Sequence, residues 1–559
     1  MDYEKVLEDY FITSKGISYD DFFNPKRPFI QNLDVAVKRI RNLINKGATF
    51  RIIGDYDVDG ICASEIMKTG LLNAGAKHVA VRLPDRFTDG YGMKTYMADE
   101  TSEDIIITVD NGITAHEAVA RAKQLGKEVI VIDHHEPTVK DGQIILPDAD
   151  IIIDHKVYKG CDNDFCGAGL ALQVVEYLIG NKPWLINKCY IFAALATIAD
   201  VVNVTHWNRK IIQHGIACLN TNTDIPMGIK KVLEHLNLST VDANTLAFRV
   251  CPVINAPGRM ISHGADFALS LLEAKTWDEA TSLKDKAMEL NIKRREETEI
   301  GVENANALIE RECLYGEIMP IFLDNIGEGI LGIIAGRINE SYNNTVGVFS
   351  ETVNEKGVRI YKGSFRSKGI NIKAVLDEVN KSGTILGYGG HEGAAGISVL
   401  AENKVSFMLA LMNLDLEPFY VSKTAEEQAE PIEVKVDELE NFYGTLQLYE
   451  PFGAGNKPPK VTIPDMELYP RNGALFSLLG TDGVKLFGKG FSAVGFGKYQ
   501  DYQELGEPKK VRVTGNIRKS YYGKSSEIQL EFDELEAVKT EVNDETSLAK
   551  ALRERMSFL

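Results

Sequence analysis

Two hydrophobic patterns alternate along the first 280 residues. Short apolar runs at Phe50–Ile53, Ile105–Val109, 129–132 and Ile151–Ile153 are bounded by Gly, Asp or Pro. Between them lie longer segments with apolar positions at helical spacing. The pattern predicts a parallel sheet with helices on its faces. The clearest predicted helix begins at Thr114, where Thr114 and Glu117 have capping-box spacing. It continues through AVARAKQL to Gly126, placed as a terminating glycine. Residues 281–311 contain no Pro and one Gly, Gly301, among many Glu, Lys, Arg, Leu and Ala. They read as one long helix joining two lobes.

A second α/β unit is expected from about residue 314 to 420, with apolar runs at Ile318–Leu323, 345–349 and 358–361 and a glycine-rich end at 387–396. Residues 421–450 are acidic, with two Lys against eight Asp or Glu. From Gly455 onward, short alternating runs punctuated by Gly predict a small antiparallel barrel. The tail after Glu541 has the spacing of a short amphipathic helix. The resulting division is 1–280, 281–312 (the connecting helix), 313–420, 421–540 (the barrel) and 541–559.

A length of 559 residues suits three or four domains, and 44% apolar with 25% charged residues excludes disorder and fibrous repeats. The net charge of −18 excludes a surface that binds nucleic acid everywhere. Residues 455–527 depart from that balance, with twelve Lys or Arg against seven Asp or Glu, a local +5. The seven cysteines are odd in number and form no C-x-x-C, which points to reduced core thiols rather than a disulfide framework or a zinc site. The acidic N-terminus lacks the apolar region of a signal peptide, and the apolar stretch 190–204 is interrupted by Asp200 and too short to span a bilayer. A cytoplasmic protein without membrane contact is expected. No feature specifies oligomerisation, so a monomer is the default.

Three of the apolar runs end in acid. Phe50–Ile53 leads into Gly54-Asp55-Tyr56-Asp57-Val58-Asp59-Gly60, Ile105–Val109 into Asp110-Asn111-Gly112, and 129–132 into Asp133-His134-His135. In an open parallel sheet, ligands bind beyond the carboxyl ends of the strands, where these residues gather. Asp55 and Asp57, two apart, point the same way. A further acid, Asp200, follows the stretch 193–199. Four carboxylates with one or two imidazoles suit Mn²⁺ or Mg²⁺ better than zinc, and are enough for two ions. Such a pair activates water and clamps both oxygens of an in-line phosphoryl displacement.

GDYDVDG, TVDNG, VIDHHEP and ATIADVV resemble successive motifs of the DHH phosphoesterases. LPDRFTDGYGM (83–93), NAPGR (255–259), GSFRS (363–367), GGHEGAAG (389–396) and EPFGAGN (450–456) resemble, more narrowly, the RecJ family of single-strand-specific 5′→3′ exonucleases. The resemblance covers essentially the whole chain in order. It implies a parallel-sheet DHH domain, a DHH-associated α/β domain and a C-terminal oligonucleotide-binding (OB) barrel. It also implies metal ligation by Asp55, Asp57, Asp110, His134 and Asp200, with Asp110 as the bridge and two Mn²⁺ or Mg²⁺ ions as cofactors. His135 would stand beside the scissile phosphate, and Asp133 would orient a histidine. Asp59 would bond backbone at its own turn.

Phosphate needs cations that leave the metal site intact. Arg259 can give bidentate contacts to a phosphate or form an ion pair between lobes. Ser364 and Arg366 are placed in a small polar loop, and Gly389-Gly390-His391 in a glycine-rich cradle of backbone N–H groups with an imidazole. By resemblance, Asn255, Arg259, Ser364, Arg366, Gly390 and His391 hold the 5′ end of the strand. In the basic barrel, Phe476, Phe487, Phe491, Phe496, Tyr521 and Tyr522 include core residues and, beside Lys485, Lys489, Arg518 or Lys519, candidates for stacking on bases. Asn111 stands where RecJ proteins often carry Cys, in a role other than ligation. Asp154-His155 replaces an Asn-Pro turn and is expected at the surface.

The expected function is a two-metal exonuclease that degrades single-stranded DNA from its 5′ end to 5′-mononucleotides, in DNA repair and recombination. By resemblance, its protein partners would be single-strand-binding protein and a repair helicase. The alternative is a DHH-type phosphodiesterase for short oligoribonucleotides or signalling dinucleotides, for which an extended basic track has no use. A catalytically dead scaffold would be a third class, and the retained ligands argue against it.

Overall fold

The apolar runs at Ile105–Val109 and Glu128–Ile132 lie at the middle of a five-stranded, wholly parallel sheet. Its order is Val79–Arg82, Phe50–Ile53, Ile105–Val109, Glu128–Ile132, Ile151–Ile153. Both central strands are buried on both faces, which is why they read as continuous apolar runs rather than alternating ones. Alternate side chains serve two cores. Ile105, Ile107, Val109, Ile130 and Ile132 join a large core with the helices Leu33–Asn45, Val58–Asn73, Gly167–Ile179 and Pro183–Ala199. Ile106, Val129 and Val131 join a smaller one with Met93, Met97 and Val119. The computed structural model describes residues 2–538 except 141, 181, 355–356, 423–428, 481 and 523–524, and except the side chains of 521, 522 and 525.

The helix expected at Thr114 forms from His116 to Gln124 and ends before Gly126 (φ +76°). Its cap differs from the predicted box. Ala115 is the N-cap, no side chain caps the helix, and Gly112 accepts the Ala115 N–H instead. The connecting helix runs Trp277–Glu312, starting earlier than 281 because the Thr276 hydroxyl accepts the Glu279 N–H. At 36 residues it is about 54 Å long.

Beyond it lies a mixed five-stranded sheet ordered Ile385–His391, Ala394–Leu400, Arg359–Arg366, Thr345–Val353, Ile318–Leu323. The last two strands pair parallel and the others antiparallel. Two expectations are corrected here. Ser364 and Arg366 lie in the central strand rather than a loop, and Gly389-Gly390-His391 ends an edge strand of a hairpin. Their backbones are held by ladder hydrogen bonds that composition does not announce.

Asp20–Lys423 together with Gly453–Asn456 form one compact unit. A second is drawn from Met1–Tyr19, Thr424–Phe452 and Lys457–Leu559. The N-terminal residues therefore belong with the C-terminal part and not with a domain 1–280. In the helix Tyr3–Phe11, the Tyr3 hydroxyl donates to Glu438 at 2.6 Å and the Phe11 ring stacks on Tyr449 at 4.6 Å. This unit carries a seven-stranded sheet ordered Ile432–Glu433, Val461–Glu467, Lys510–Tyr522, Ser525–Ala537, Phe491–Gly495, Gly483–Phe487, Phe476–Leu479. The helix expected over 541–559 lies outside the described residues.

None of the seven cysteines is in a disulfide, and five are buried. Among the described residues, no helix is long and apolar enough to cross a membrane.

Candidate metal centre and phosphate cleft

The carboxyl ends of three neighbouring strands deliver the acids to one place. After Phe50–Ile53 the chain turns into the helix Val58–Asn73, and Asp57 caps that helix, accepting from the N–H groups of Asp59 (3.0 Å) and Gly60 (3.2 Å) through Oδ1. Asp55 accepts from the Gly92 N–H at 3.2 Å. Asp110 follows Ile105–Val109 with φ +60°, and its N–H bonds the Ile132 carbonyl at 3.0 Å. Gly167 is required beneath it, since a Cβ there would lie 2.5 Å from the Asp110 Cβ. His134 follows Glu128–Ile132 and places Nε2 3.1 Å from Asp110 and 3.7 Å from both Asp59 and Asp200. Asp200 arrives from the other direction, at the C-terminal end of Pro183–Ala199.

Three groups of potential ligand atoms result, each within 4.8 Å: Asp55 with Asp57 and Asp110; Asp110 with His134 and His135; and Asp59 with His134 and Asp200. Asp110 belongs to two of them. Crowding buried carboxylates in this way is costly without cations. Burial, and then the Asp57 charge, pushes the pKa of Asp55 up to about 8. Burial and then Asp59 raise Asp110 and Asp200 well above the usual carboxylate range. His134 moves the other way, to about 3, through burial and then the charge of His135, so it stands neutral with a lone pair to offer. A buried oxygen-rich set with one neutral imidazole fits divalent cations such as Mn²⁺ or Mg²⁺.

Asp133, wholly buried, holds the tandem histidines in place. It accepts from the N–H groups of Ile113 (2.9 Å) and His134 (2.8 Å) and from Nδ1 of His135 (2.8 Å). Burial opposes its ionisation, but His135 and then His134 outweigh that and keep its pKa below the ordinary value. In return, and against its own burial, His135 is raised to about 9 by the Asp133 charge and hydrogen bond. Tyr91, which sequence reasoning missed, completes this support. Its hydroxyl lies 2.9 Å from His135 Nδ1 and donates to the Asp110 carbonyl at 3.2 Å. The only trace of it was its place inside the 83–93 motif.

Two expectations about acids are corrected. Asp59 does not bond its own turn, a role that Asp57 takes. Instead it accepts from the N–H groups of Gly167 (2.6 Å) and Ala168 (2.7 Å), at the start of the helix Gly167–Ile179. Asp154-His155 is a surface turn only in part: Asp154 is 1% exposed, whereas His155 opens a turn, is half-buried and lies 3.1 Å from Asp164. The Asn111 side-chain amide donates to the carbonyls of Ile53 and Val109 and accepts from the Met93 N–H.

Guanidinium groups stand near the acids, Arg86 close enough to Asp55 and Arg259 to Asp57 for their charges to interact. Arg259, in the helix Cys251–Met260, reaches the second lobe by donating to the Gly329 carbonyl at 2.9 Å. Burial, then the neighbouring Arg86, lowers its pKa to about 9. Arg86, another residue sequence reasoning passed over, donates to the Gly258 carbonyl at 3.0 Å and lies over the Tyr56 ring at 3.8 Å. Asn255 buries an Oδ1 that has no hydrogen-bond partner among the described residues. In the second sheet, Arg366 and His391 both pair with Ala394, from opposite sides, and Ser364 and Gly389 both pair with Gly396. These residues thus form two adjacent rows, with Arg366 Nη1 3.0 Å from the Ser364 hydroxyl. Gly390 (φ +144°) is next in the edge strand, and its Cβ would meet the Ala394 carbonyl at 2.2 Å. Burial and then Arg366 lower the pKa of His391.

In the C-terminal unit, Phe491 is buried, Phe476 and Phe487 are half-buried, and Phe496 is 61% exposed. Lys485 is engaged by Glu527 at 2.7 Å.

The chain matches the DHH family N-terminal domain over residues 49–198, the DHHA1 domain over 316–417 and the RecJ OB domain over 432–534. It is 31% identical over 404 residues to the single-stranded-DNA-specific exonuclease RecJ of Salmonella typhimurium, covering 67% of each chain. It is 29% identical over 457 residues to that of Bacillus subtilis, covering 79% of this chain and 55% of that protein. Among solved structures, RecJ of Thermus thermophilus in complex with Mn²⁺ shares the fold (TM-score 0.76, 24% identity, 96% of this chain and 76% of that one). A manganese-bound exonuclease RecJ is 28% identical with a TM-score of 0.57, covering 69% of this chain and 96% of that one.

Proposed function

The chain belongs to the RecJ family of DHH proteins, and from that premise we propose that it is a metal-dependent exonuclease acting on single-stranded DNA from the 5′ end and releasing 5′-mononucleotides. The observation that carries this reading is the juxtaposition, within one compact unit, of the carboxylate–imidazole cluster and the buried Arg259 guanidinium, close enough to Asp57 and Arg366 for their charges to interact. Asp55, Asp57, Asp110, His134 and Asp200 hold two divalent cations, Mn²⁺ ahead of Mg²⁺. When bound, these supply a nucleophilic water and neutralise charge on the phosphoryl group.

The chain's own residues do the rest. His135, held by Asp133 and Tyr91, presents a cationic imidazole to the scissile phosphate and stabilises charge that grows as the bond breaks. Arg259 and Asn255 position that phosphate. Ser364, Arg366, Gly390 and His391 grip the 5′ terminus, so each cut frees one 5′-mononucleotide. The C-terminal unit, carrying the OB-domain match, guides the strand. Single-strand-binding protein and a repair helicase are the expected partners, in the cytoplasm, with a monomeric enzyme.

The test compares 5′-labelled and 3′-labelled single strands and a duplex in Mn²⁺. Immediate release of labelled mononucleotide from the 5′ label, with the duplex spared and a chelator abolishing turnover, is expected. Dinucleotides cleaved faster than long strands would replace this reading with the dinucleotide phosphodiesterase. Activity surviving Asp110→Ala would refute the ligand assignment.

A further inference from the structure

The loop after Asp200 is held in a conformation its sequence disfavours. Val201 has φ +57° and is 71% exposed. A β-branched residue avoids that region, and an exposed side chain brings no packing to offset the cost. Two anchors keep the loop in place. On one side, the Asn208 side-chain amide donates to the Asn203 carbonyl at 2.9 Å. On the other, the Val204 N–H donates to the Ala454 carbonyl at 2.7 Å.

Ala454 lies in a four-residue turn closed by reciprocal hydrogen bonds between Gly453 and Asn456, at 3.2 and 3.1 Å. These four residues belong to the catalytic unit, although the chain on either side of them belongs to the other. The contact is close. A Cβ on Gly453 would stand 2.6 Å from Val204 Cγ2, and one on Gly455, at φ +69°, would stand 2.8 Å from Asn203 Oδ1. Val204 is 4% exposed. Glycine is therefore favoured at both positions, at 453 by the buried Val204 side chain and at 455 chiefly by the positive φ.

We propose that the 453–456 turn is a positioning element for Asp200: it clamps loop 201–204 and so holds the Asp200 carboxylate toward His134, 3.7 Å away. Gly453 and Val204 touch neither substrate nor metal and act only through Asp200. The inference rests on Asp200 being a metal ligand.

The experiment uses the full chain, with Mn²⁺ binding followed by calorimetry and steady-state kinetics on single-stranded DNA. Gly453→Ala is expected to weaken Mn²⁺ binding about 10- to 100-fold, to lower kcat at limiting Mn²⁺ with recovery at high Mn²⁺, and to leave KM for DNA unchanged. Val204→Ala, which empties the same contact, is expected to weaken Mn²⁺ binding less. In the double variant the methyl introduced at position 453 fills the space left by Cγ2, with the nearest remaining atom, the Val204 Cβ, at 3.5 Å, and Mn²⁺ affinity recovers. Should Gly453→Ala not fold, Val204→Ala and the double variant still decide. The proposal is overturned if neither single variant changes Mn²⁺ affinity, or if the double variant binds no better than either single one. Asp200→Ala separates the two layers: undiminished Mn²⁺ binding there would remove the ligand assignment, whereas its loss beside an unaffected Gly453→Ala would remove the positioning role alone.

Discussion

Replacing Glu527 with Gln tests how the C-terminal unit is stabilised. The carboxylate takes Lys485 Nζ at 2.7 Å, Arg471 Nη1 at 2.7 Å and the Ser492 hydroxyl at 2.9 Å, with its side chain 16% exposed. Burial alone would raise its pKa, but hydrogen bonds from Lys485, then Arg471 and Ser492, lower it from 4.5 to about 2. A displacement of that size corresponds to about 3 kcal/mol, reduced to about 2 kcal/mol by solvent screening. The folded state binds this proton more weakly than the unfolded one, so the stabilisation is complete above pH 4.5 and is lost as pH falls towards 2. Glu527→Gln should therefore cost about 2 kcal/mol at pH 7 and flatten the acid limb of the stability profile. All three tryptophans, at 184, 207 and 277, lie in the other unit, so their fluorescence does not report this unfolding. Hydrogen exchange across 491–495 and 528–532 in the full chain does. Wild-type protection at pH 7 together with an unaltered acid limb would refute the reasoning.

Three further outcomes follow from the metal centre and the cleft. Asp133→Asn loosens His135 without removing a ligand, so kcat should fall about 10- to 100-fold with KM within about twofold, read from initial rates. Gly167→Ala drives a methyl against Asp110 and should weaken Mn²⁺ binding at least about tenfold by calorimetry, even where the helix Gly167–Ile179 still forms. Arg366→Ala should raise KM for 5′-phosphorylated strands about 10- to 100-fold through loss of a charged hydrogen bond while largely sparing kcat, in assays comparing 5′-phosphate with 5′-hydroxyl ends.

Most of the acid cluster was legible in the sequence because Asp55, Asp57, Asp110 and Asp133 follow strands that announce themselves as apolar runs, whereas Asp200 ends a helix. The groups that support it were not. Asp59 meets Gly167 across 108 residues and Tyr91 meets His135 across 44, and neither pairing leaves a local pattern. The second lobe misled for a different reason. Gly389, Gly390, Ser364 and Arg366 lack the apolar alternation of a strand, yet ladder pairing with residues 394–396 makes them one. Asp154 looked like a surface residue because its burial depends on what packs around it, not on its own character. The capping box at Thr114 had the right letters, but the Gly112 carbonyl claimed the Ala115 N–H and the helix began later.

The pairing of the first helix with the C-terminal unit has a consequence for biosynthesis. Tyr3 and its partner Glu438 are 435 residues apart, so the apolar face of Tyr3, Leu7 and Phe11 leaves the ribosome long before Glu438, Phe442 and Tyr449 are made. At ordinary elongation rates that interval is about 20–90 s. The large parallel-sheet core can close within it, while the helix Tyr3–Phe11 must wait for residues 438–449. The helix Tyr3–Phe11 and the segment from Glu438 to Tyr449 thus come together late, which makes their unit the one most dependent on protection while it is incomplete.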